Sequence, residues 1–312
     1  MSTQESTPTV LVLGATGFVG RHVCATFAAD GYRVVAVART PVEGLAAHRF
    51  VSFDLARTPA EETARLLEDE RIDVVVNSIG SIWGAPPEEM AERCTAPTRR
   101  LLDALALTSR RPRLVQLGSV LEYGSPPATA YGQAKLAATE AVLAAGARGE
   151  VDALVLRIAN AAGPGTPDVS LLGQVGARLR EAAARGESAV VELAPLRAHR
   201  DYIDVRDVAE AVLAAARTTA TGHVIGIGRG EAVPVRSLVD GLIEVSGVPA
   251  RIVEQEAPAT SRSTDDWIQV DTEPARTVLG WQPHRSLEVA LRAFWEESGG
   301  AAAHSRAVED AR

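Results

Sequence analysis

Val10-Leu11-Val12-Leu13-Gly14-Ala15-Thr16-Gly17-Phe18-Val19-Gly20 is the stretch from which the fold can be read. Its unbroken apolar start is the pattern of a strand buried on both faces, and the glycine that ends it is followed by an amphipathic stretch from Val19 to Ala29. Strand, tight turn and helix are expected in that order. Gly14 can take backbone angles closed to other residues, Gly17 lets the main chain approach a pyrophosphate, and Gly20 lets the helix sit close to the strand. The helix N-terminus then offers unpaired N–H groups and a partial positive charge to phosphates. The spacing G-x-x-G-x-x-G is longer at its first gap than the common dinucleotide fingerprint, and three glycines alone also suit an ordinary turn.

The sequence beyond this turn favours the dinucleotide reading. Gly31 closes the helix, and Tyr32 to Arg39 reads as a second strand, Phe50 to Leu55 as a third, Ala60 to Asp69 as a helix. Asp73 to Gly80 is a fourth strand with small residues at its tip. Pro86 and Pro87 open a helical stretch through Leu105, within which Pro97 imposes a kink or a restart. Arg113 to Ser119 and Ala153 to Ile158 are the fifth and sixth strands. This alternation is what an α/β fold with a doubly wound parallel sheet requires. Beyond Gly163-Pro164-Gly165 the rhythm changes: helix Leu171 to Arg185, strand Ala189 to Leu193, helix Asp204 to Thr218, strand Val224 to Ile227, helix Val233 to Ser246. We expect a Rossmann-type domain at residues 9–165 and a smaller, interleaved C-terminal substrate lobe at 166–298. Residues about 201–228 return to the Rossmann domain, and 299–312 read as a mobile tail.

Composition narrows the function. A chain of 312 residues with a net charge of -8 does not offer the clustered basic surface that general nucleic-acid binding needs. Cys24 and Cys94 lack metal-ligand spacing, so neither a metal site nor a disulfide framework is expected, and Cys24 falls on the buried side of the first helix. Met1 to Thr9 is polar and no run approaches a membrane span, which points to a cytoplasmic protein.

The chemistry lies in Tyr131-Gly132-Gln133-Ala134-Lys135, whose tyrosine stands 12 residues after Ser119 at the tip of the fifth strand. Residues four apart on a helix share a face, so phenol and ammonium can enter one cleft. The ammonium stabilises phenolate and lowers the tyrosine's proton affinity, which suits proton exchange near neutral pH. Tyrosine and lysine on a helix surface are commonplace. Here they follow Ser119-Val120-Leu121-Glu122-Tyr123-Gly124 and precede both Arg157 to Pro164 and Arg200-Asp201-Tyr202-Ile203-Asp204-Val205. In that order the elements resemble the extended, nucleotide-sugar-modifying branch of the short-chain dehydrogenase/reductase superfamily, the NAD-dependent epimerase/dehydratase family. The resemblance covers about Thr9 to Glu297.

The resemblance implies catalytic roles for Ser119, Tyr131 and Lys135, the serine steadying the reacting oxygen and the lysine also bonding the nicotinamide ribose. It implies a cofactor site of Gly14, Thr16, Gly17, Phe18, Val19, Gly20, Arg39, Asp54, Leu55, Ser78, Tyr131, Lys135 and Ile158. Asp54 and Leu55 would border the adenine, although a plain loop aspartate is the alternative. Ala38 and Arg39 stand where a carboxylate would otherwise accept bonds from the adenosine ribose. A guanidinium is a permanently charged fork suited to a 2′-phosphate, so NADP, used as NADPH, is expected over NAD unless Arg39 merely solvates a strand end.

For the substrate, the resemblance implies contacts from Ser119, Glu122, Asn160 and Arg200, and more loosely from Arg262 with Asp265. Arg200 alternatively pairs with Asp201 or Asp204, and Glu122 is alternatively a strand-end carboxylate in solvent. Trp83 and Trp267 either line a sugar pocket or pack in the core, while His199 and His284 show no partner pattern. Dehydratases of this branch place an Asp-Glu pair directly after the hydroxyl residue, where this chain has Val120 and Leu121. Residues 118–124 and 193–201 resemble 4-ketoreductases acting on 6-deoxy sugars, including those in deoxysugar pathways of secondary metabolism. The expected reaction is NADPH-dependent reduction of the C4 ketone of a nucleoside-diphosphate 4-keto-6-deoxy or 2,6-dideoxy hexose, dTDP-linked. Tyr131 is the expected proton donor and Glu122 the next candidate. The alternatives are an NAD-dependent nucleotide-sugar epimerase and a non-catalytic NADP-sensing protein. The resemblance also implies a homodimer through the helices carrying Tyr131 and around Arg99.

Overall fold

The computed structural model describes residues 7–42, 48–84, 86–255 and 267–299. In chain order the elements are β1 (Thr9–Leu13), α1 (Phe18–Ala29), β2 (Arg33–Ala38), β3 (Arg49–Ser52), α2 (Ala60–Asp69), β4 (Val74–Asn77), α3 (Ala96–Ala106), β5 (Arg113–Ser119), α4 (Ala130–Ala147) and β6 (Ala153–Ile158). There follow β7 (Asn160–Ala162), α5 (Leu171–Arg185), β8 (Ala189–Leu193), β9 (His199–Asp204), α6 (Val205–Arg217), β10 (Val224–Ile227), β11 (Ala232–Pro234), α7 (Val235–Ser246), β12 (Ala250–Glu254), α8 (Glu273–Leu279) and α9 (Leu287–Glu297). They form two compact units, the first made of residues through Ile158, Val208–Ile227 and Glu273–Gln282, the second of Ala159–Asp207, Gly228–Thr272 and the chain from Pro283.

The first unit is built on a seven-stranded sheet of order β10-β6-β5-β4-β1-β2-β3, parallel throughout. All five residues of β1 are buried, as a strand covered on both faces must be. The strand order turns back at β1, which pairs β2 on one side and β4 on the other. Ligands of such sheets bind beyond the carboxyl ends of the strands at this switch point, and Gly14 to Gly20 lie there. The opposite end is tied by Arg113, a buried guanidinium that donates to the Ala215 and Ala220 carbonyls and pairs with Asp152 at 3.1 Å.

Two local expectations change. β3 stops at Ser52, so Asp54 and Leu55 lie in the following turn, where the Asp54 carboxylate accepts the Ala56 N–H at 3.1 Å. The stretch from Pro86 to Leu105 is broken into a 3-10 turn at Pro87–Glu89, a π-helical turn at Ala91–Thr95 and then α3. Pro97 thus sits in a first helical turn, where its missing N–H costs nothing.

In the second unit β7 pairs β9 in parallel, β11 pairs β9 antiparallel, and β8 pairs β12 in parallel. Leu179 of α5, Leu242 of α7, and Phe294 and Trp295 of α9 are buried in one cluster with Val191 of β8. The expected boundary after residue 165 moves to Ala159, because Asn160–Ala162 pairs with β9 rather than extending the large sheet. α7 begins two residues later than expected because Val233 and Pro234 belong to β11. Of the expected tail at 299–312, all but Gly299 lies outside the described residues, as do Arg262 and Asp265. No helix among the described residues is long and apolar enough to cross a membrane.

Candidate active site

The glycine turn is a cradle that side chains would fill. Gly14 has φ +77°, and its N–H and that of Ala15 both bond the Val37 carbonyl, tying the turn to β2. A Cβ on Gly20 would lie 2.1 Å from the Gly14 carbonyl oxygen, so only glycine allows α1 to start this close to β1. Gly17 is exposed and caps α1 with no side-chain hydrogen bond, leaving the first N–H groups of the helix open to an anion. Thr16, Phe18 and Val19 flank it, half-buried. Ser78, following β4, donates its hydroxyl to the Leu13 carbonyl at 2.6 Å and so closes the floor beneath Gly14. Leu55 and Ile158 are buried, and Arg39 is exposed at the end of β2, its carbonyl held by the Ser52 hydroxyl at 2.9 Å. A bare helix N-terminus, a glycine turn with no side chains of its own at Gly14, Gly17 and Gly20, and an exposed guanidinium at the second strand tip fit a nicotinamide dinucleotide.

Two strands away in the sheet, β5 delivers Ser119 and α4 delivers Tyr131 and Lys135. A Cβ on Gly132 would lie 2.0 Å from the Leu121 carbonyl, so this glycine lets the first turn of α4 approach the segment just after Ser119. Thr129 caps α4, accepting the Gly132 N–H at 3.0 Å. The Lys135 ammonium is buried and donates to the carbonyls of Leu117 and Ile79, at the ends of β5 and β4. Beneath it the Asn77 amide donates to Gln116 at 2.8 Å and to Thr98 at 3.2 Å, a buried polar set that fixes both strand ends.

The electrostatics differ from expectation. Burial, aided by the nearby Cys94 and Glu122, pushes the Tyr131 phenol above its ordinary range, while burial pushes the Lys135 ammonium down against the same two neighbours. Desolvation, rather than the ammonium four residues on, therefore dominates the tyrosine of the free site, and it stays protonated.

The solvent-exposed alternative for Glu122 does not hold: the residue is 2% exposed, one carboxylate oxygen accepts the Ser119 N–H at 2.7 Å, and the other accepts from Thr139 at 2.9 Å and Arg157 at 2.8 Å. The Ser119 hydroxyl accepts the Leu121 N–H at 3.1 Å, so serine and glutamate cap the 3-10 turn Val120–Glu122 reciprocally. Ser-x-x-Glu is the sequence signature of that box, and it was the available signal.

In the second unit Asn160 donates to the Asp201 carbonyl at 3.2 Å, and Arg200 donates to the His199 carbonyl at 3.0 Å. The two carboxylates considered for Arg200 have other roles. Asp201 accepts the Arg229, Gly230 and Val270 N–H groups, and Asp204 holds Arg206 at 2.6 Å. Trp83 and Trp267 are exposed, at 41% and 61%, which removes the core-packing alternative. His199 does have a partner, stacking on Trp267 with ring centroids 4.6 Å apart, and His284 lies 3.4 Å from Asp207.

Residues 10–228 match the model of the NAD dependent epimerase/dehydratase family. The chain is 42% identical over 299 residues to dTDP-6-deoxy-L-talose 4-dehydrogenase (NAD(P)(+)) of Kitasatospora kifunensis, covering 92% of this chain and 94% of that one. Its fold resembles that of UDP-glucose 4-epimerase from Thermotoga maritima, solved with UDP-glucose, at TM-score 0.82 and 23% identity, covering 94% and 99% of the two chains. It also resembles RMD from Pseudomonas aeruginosa, solved with NADPH, at TM-score 0.76 and 23% identity, covering 96% and 98%.

Proposed function

The chain belongs to the NAD dependent epimerase/dehydratase family, and from that premise we propose that it is an NADPH-dependent oxidoreductase reducing the C4 ketone of a dTDP-linked 4-keto-6-deoxyhexose. The observation that carries the reading is the tip of β5, where Ser119 is followed by Val120 and Leu121 and the nearest carboxylate, Glu122, is buried and fully engaged. A dehydratase needs acid and base side chains at that place. Tyr131, held protonated by burial, is then the proton donor. The name of the 42% relative supports the dTDP-linked sugar, and we extend it to an L-configured ring.

NADPH, when bound, supplies the hydride. Ser119 orients the ketone oxygen, Tyr131 donates its phenolic proton to that oxygen, and Lys135 stabilises the phenolate that remains. Asn160 and Arg200 are proposed to bind the substrate diphosphate, and Arg39 the 2′-phosphate of the cofactor. The protein is further proposed to act as a homodimer through α3 and α4. To test the reaction, dTDP-4-keto-6-deoxyglucose is generated with a dehydratase, with and without a 3,5-epimerase, and incubated with the protein and NADPH. The expected result is loss of NADPH absorbance and, by mass and NMR, a product reduced at C4. A sugar inverted at one carbon without NADPH consumption would make the protein an epimerase.

A further inference from the structure

Burying a carboxylate is costly unless it is charge-paired and hydrogen-bonded, and Glu122 is both. Its side chain is wholly buried against Arg157, which is 20% exposed, and three donors from three elements converge on it. Ser119 ends β5, Thr139 lies one helical turn beyond Lys135 on α4, and Arg157 precedes Ile158 at the end of β6. The neighbouring strand residue is shaped to admit it, since a Cβ on Gly118 would come 2.5 Å from the carboxylate oxygen that holds Ser119. Beyond capping its own turn, the carboxylate ties β5, which carries Ser119, to α4, which carries Tyr131 and Lys135, and to Arg157 of β6.

We propose that Glu122 is a positioning residue, whose buried carboxylate holds the Ser119 backbone in place against α4 while Thr139 and Arg157 brace it from behind. The inference rests on the reading of Ser119, Tyr131 and Lys135 as the reacting groups. Charged and titratable groups facing this locus are Arg157 on β6, with its guanidinium over the Tyr123 ring, Lys135 and Tyr131 on α4, and Cys94 on the π-helical turn. Glu122 resists ionisation of Tyr131 and favours the charged form of Lys135. Removing its charge therefore moves both proton losses to lower pH. In ketone reduction Tyr131 must start protonated, so the alkaline fall in turnover shifts the same way.

The test uses the full chain, NADPH and dTDP-4-keto-6-deoxyhexose. Glu122→Ala should lower kcat about tenfold or more with KM little changed, and should speed hydrogen exchange of the Ser119 amide in the cofactor-free protein. Glu122→Gln keeps an acceptor for that amide, so it should retain exchange protection and recover part of kcat. In both variants the alkaline limb should move to lower pH. Gly118→Ala displaces the carboxylate without removing its charge, so kcat and exchange protection should drop while the limb stays, and this variant with Glu122→Gln carries the test if Glu122→Ala does not fold. Wild-type kcat, limb and exchange in Glu122→Gln and Gly118→Ala would overturn the inference. Tyr131→Phe separates the two readings: if it is inactive while the Glu122 variants behave as wild type, the inference alone fails, and if it is fully active the site reading fails.

Discussion

At the scale of single residues, Tyr131 and Arg39 carry the sharpest expectations. Tyr131→Phe removes one oxygen from a partly buried side chain resting against Met90, Cys94 and Ala134, so the fold and NADPH affinity should survive. Turnover should fall about a hundredfold, the usual loss when a general acid is deleted, and stopped-flow NADPH oxidation measures it. Near-normal turnover would move the proton donor elsewhere, and Glu122 is not available for that role because its oxygens are occupied. Arg39→Ala, at an exposed strand end, should raise KM for NADPH while leaving KM for NADH nearly unchanged. Equal losses with both cofactors would mean that Arg39 only solvates the end of β2. At this scale the sequence displayed the candidate residues but not their surroundings. Tyr131 and Lys135 are recognisable from their spacing and Glu122 from the Ser-x-x-Glu signature, whereas their depth and the Cys94 thiol beside them depend on a segment distant in the chain.

At the scale of elements, legibility followed locality. α2, β5, β6, α5 and β8 have the bounds expected from periodicity, since each buries a face its own sequence declares. β7 and β11 are three residues long and exist only because β9 pairs with both. No window of local hydrophobicity contains that information. Glycines at close approaches make these elements testable. Gly132→Ala forces a methyl to within 2.0 Å of the Leu121 carbonyl unless α4 retreats. Overpacking of this kind costs about 1–3 kcal/mol, and a retreat of about 1 Å at Tyr131 would lower kcat about a hundredfold. Thermal unfolding and kcat should thus both fall, with KM less affected. The buried face of α1 gives a pH-dependent counterpart: burial raises the Cys24 thiol from 9.0 to about 12. Above the lower value the unfolded chain has lost a proton that the folded chain retains, so this stability is full below it and is lost as pH rises toward the higher one. Each pH unit in that window costs about 1.4 kcal/mol for one such group. Urea unfolding of Cys24→Ala should show a correspondingly flatter loss of stability than wild type between pH ~9 and ~11, since the other buried thiol and phenols remain in both proteins.

At the scale of the whole molecule, the prediction concerns self-association through the face formed by the π-helical turn, the start of α3 and the first turns of α4. A groove of about 530 Å³ runs there, lined by Met90, Ala91, Ala96, Ala130, Ala134 and Ala137, with Glu88, Glu92 and Arg99 also in its lining. Alanines let a facing helix approach closely. The lining carries both carboxylates and a guanidinium, so a two-fold axis that brings Glu88 or Glu92 of one copy to Arg99 of the other would make an isologous interface. A homodimer is therefore expected at micromolar concentration, visible by sedimentation equilibrium. Ala137→Arg, placing a long cation on a half-buried position of the groove, should give a monomer with unchanged far-UV circular dichroism. Arg99→Glu should weaken the dimer by like-charge contact with Glu88 and Glu92, and adding Glu92→Arg to it should restore association in part. Because the same α4 carries Tyr131 and Lys135, loss of the dimer should also lower kcat by loosening the first turns of that helix. A wild-type protein sedimenting as a monomer, or an Ala137→Arg variant that remains dimeric, would place the interface elsewhere and leave this groove to another ligand.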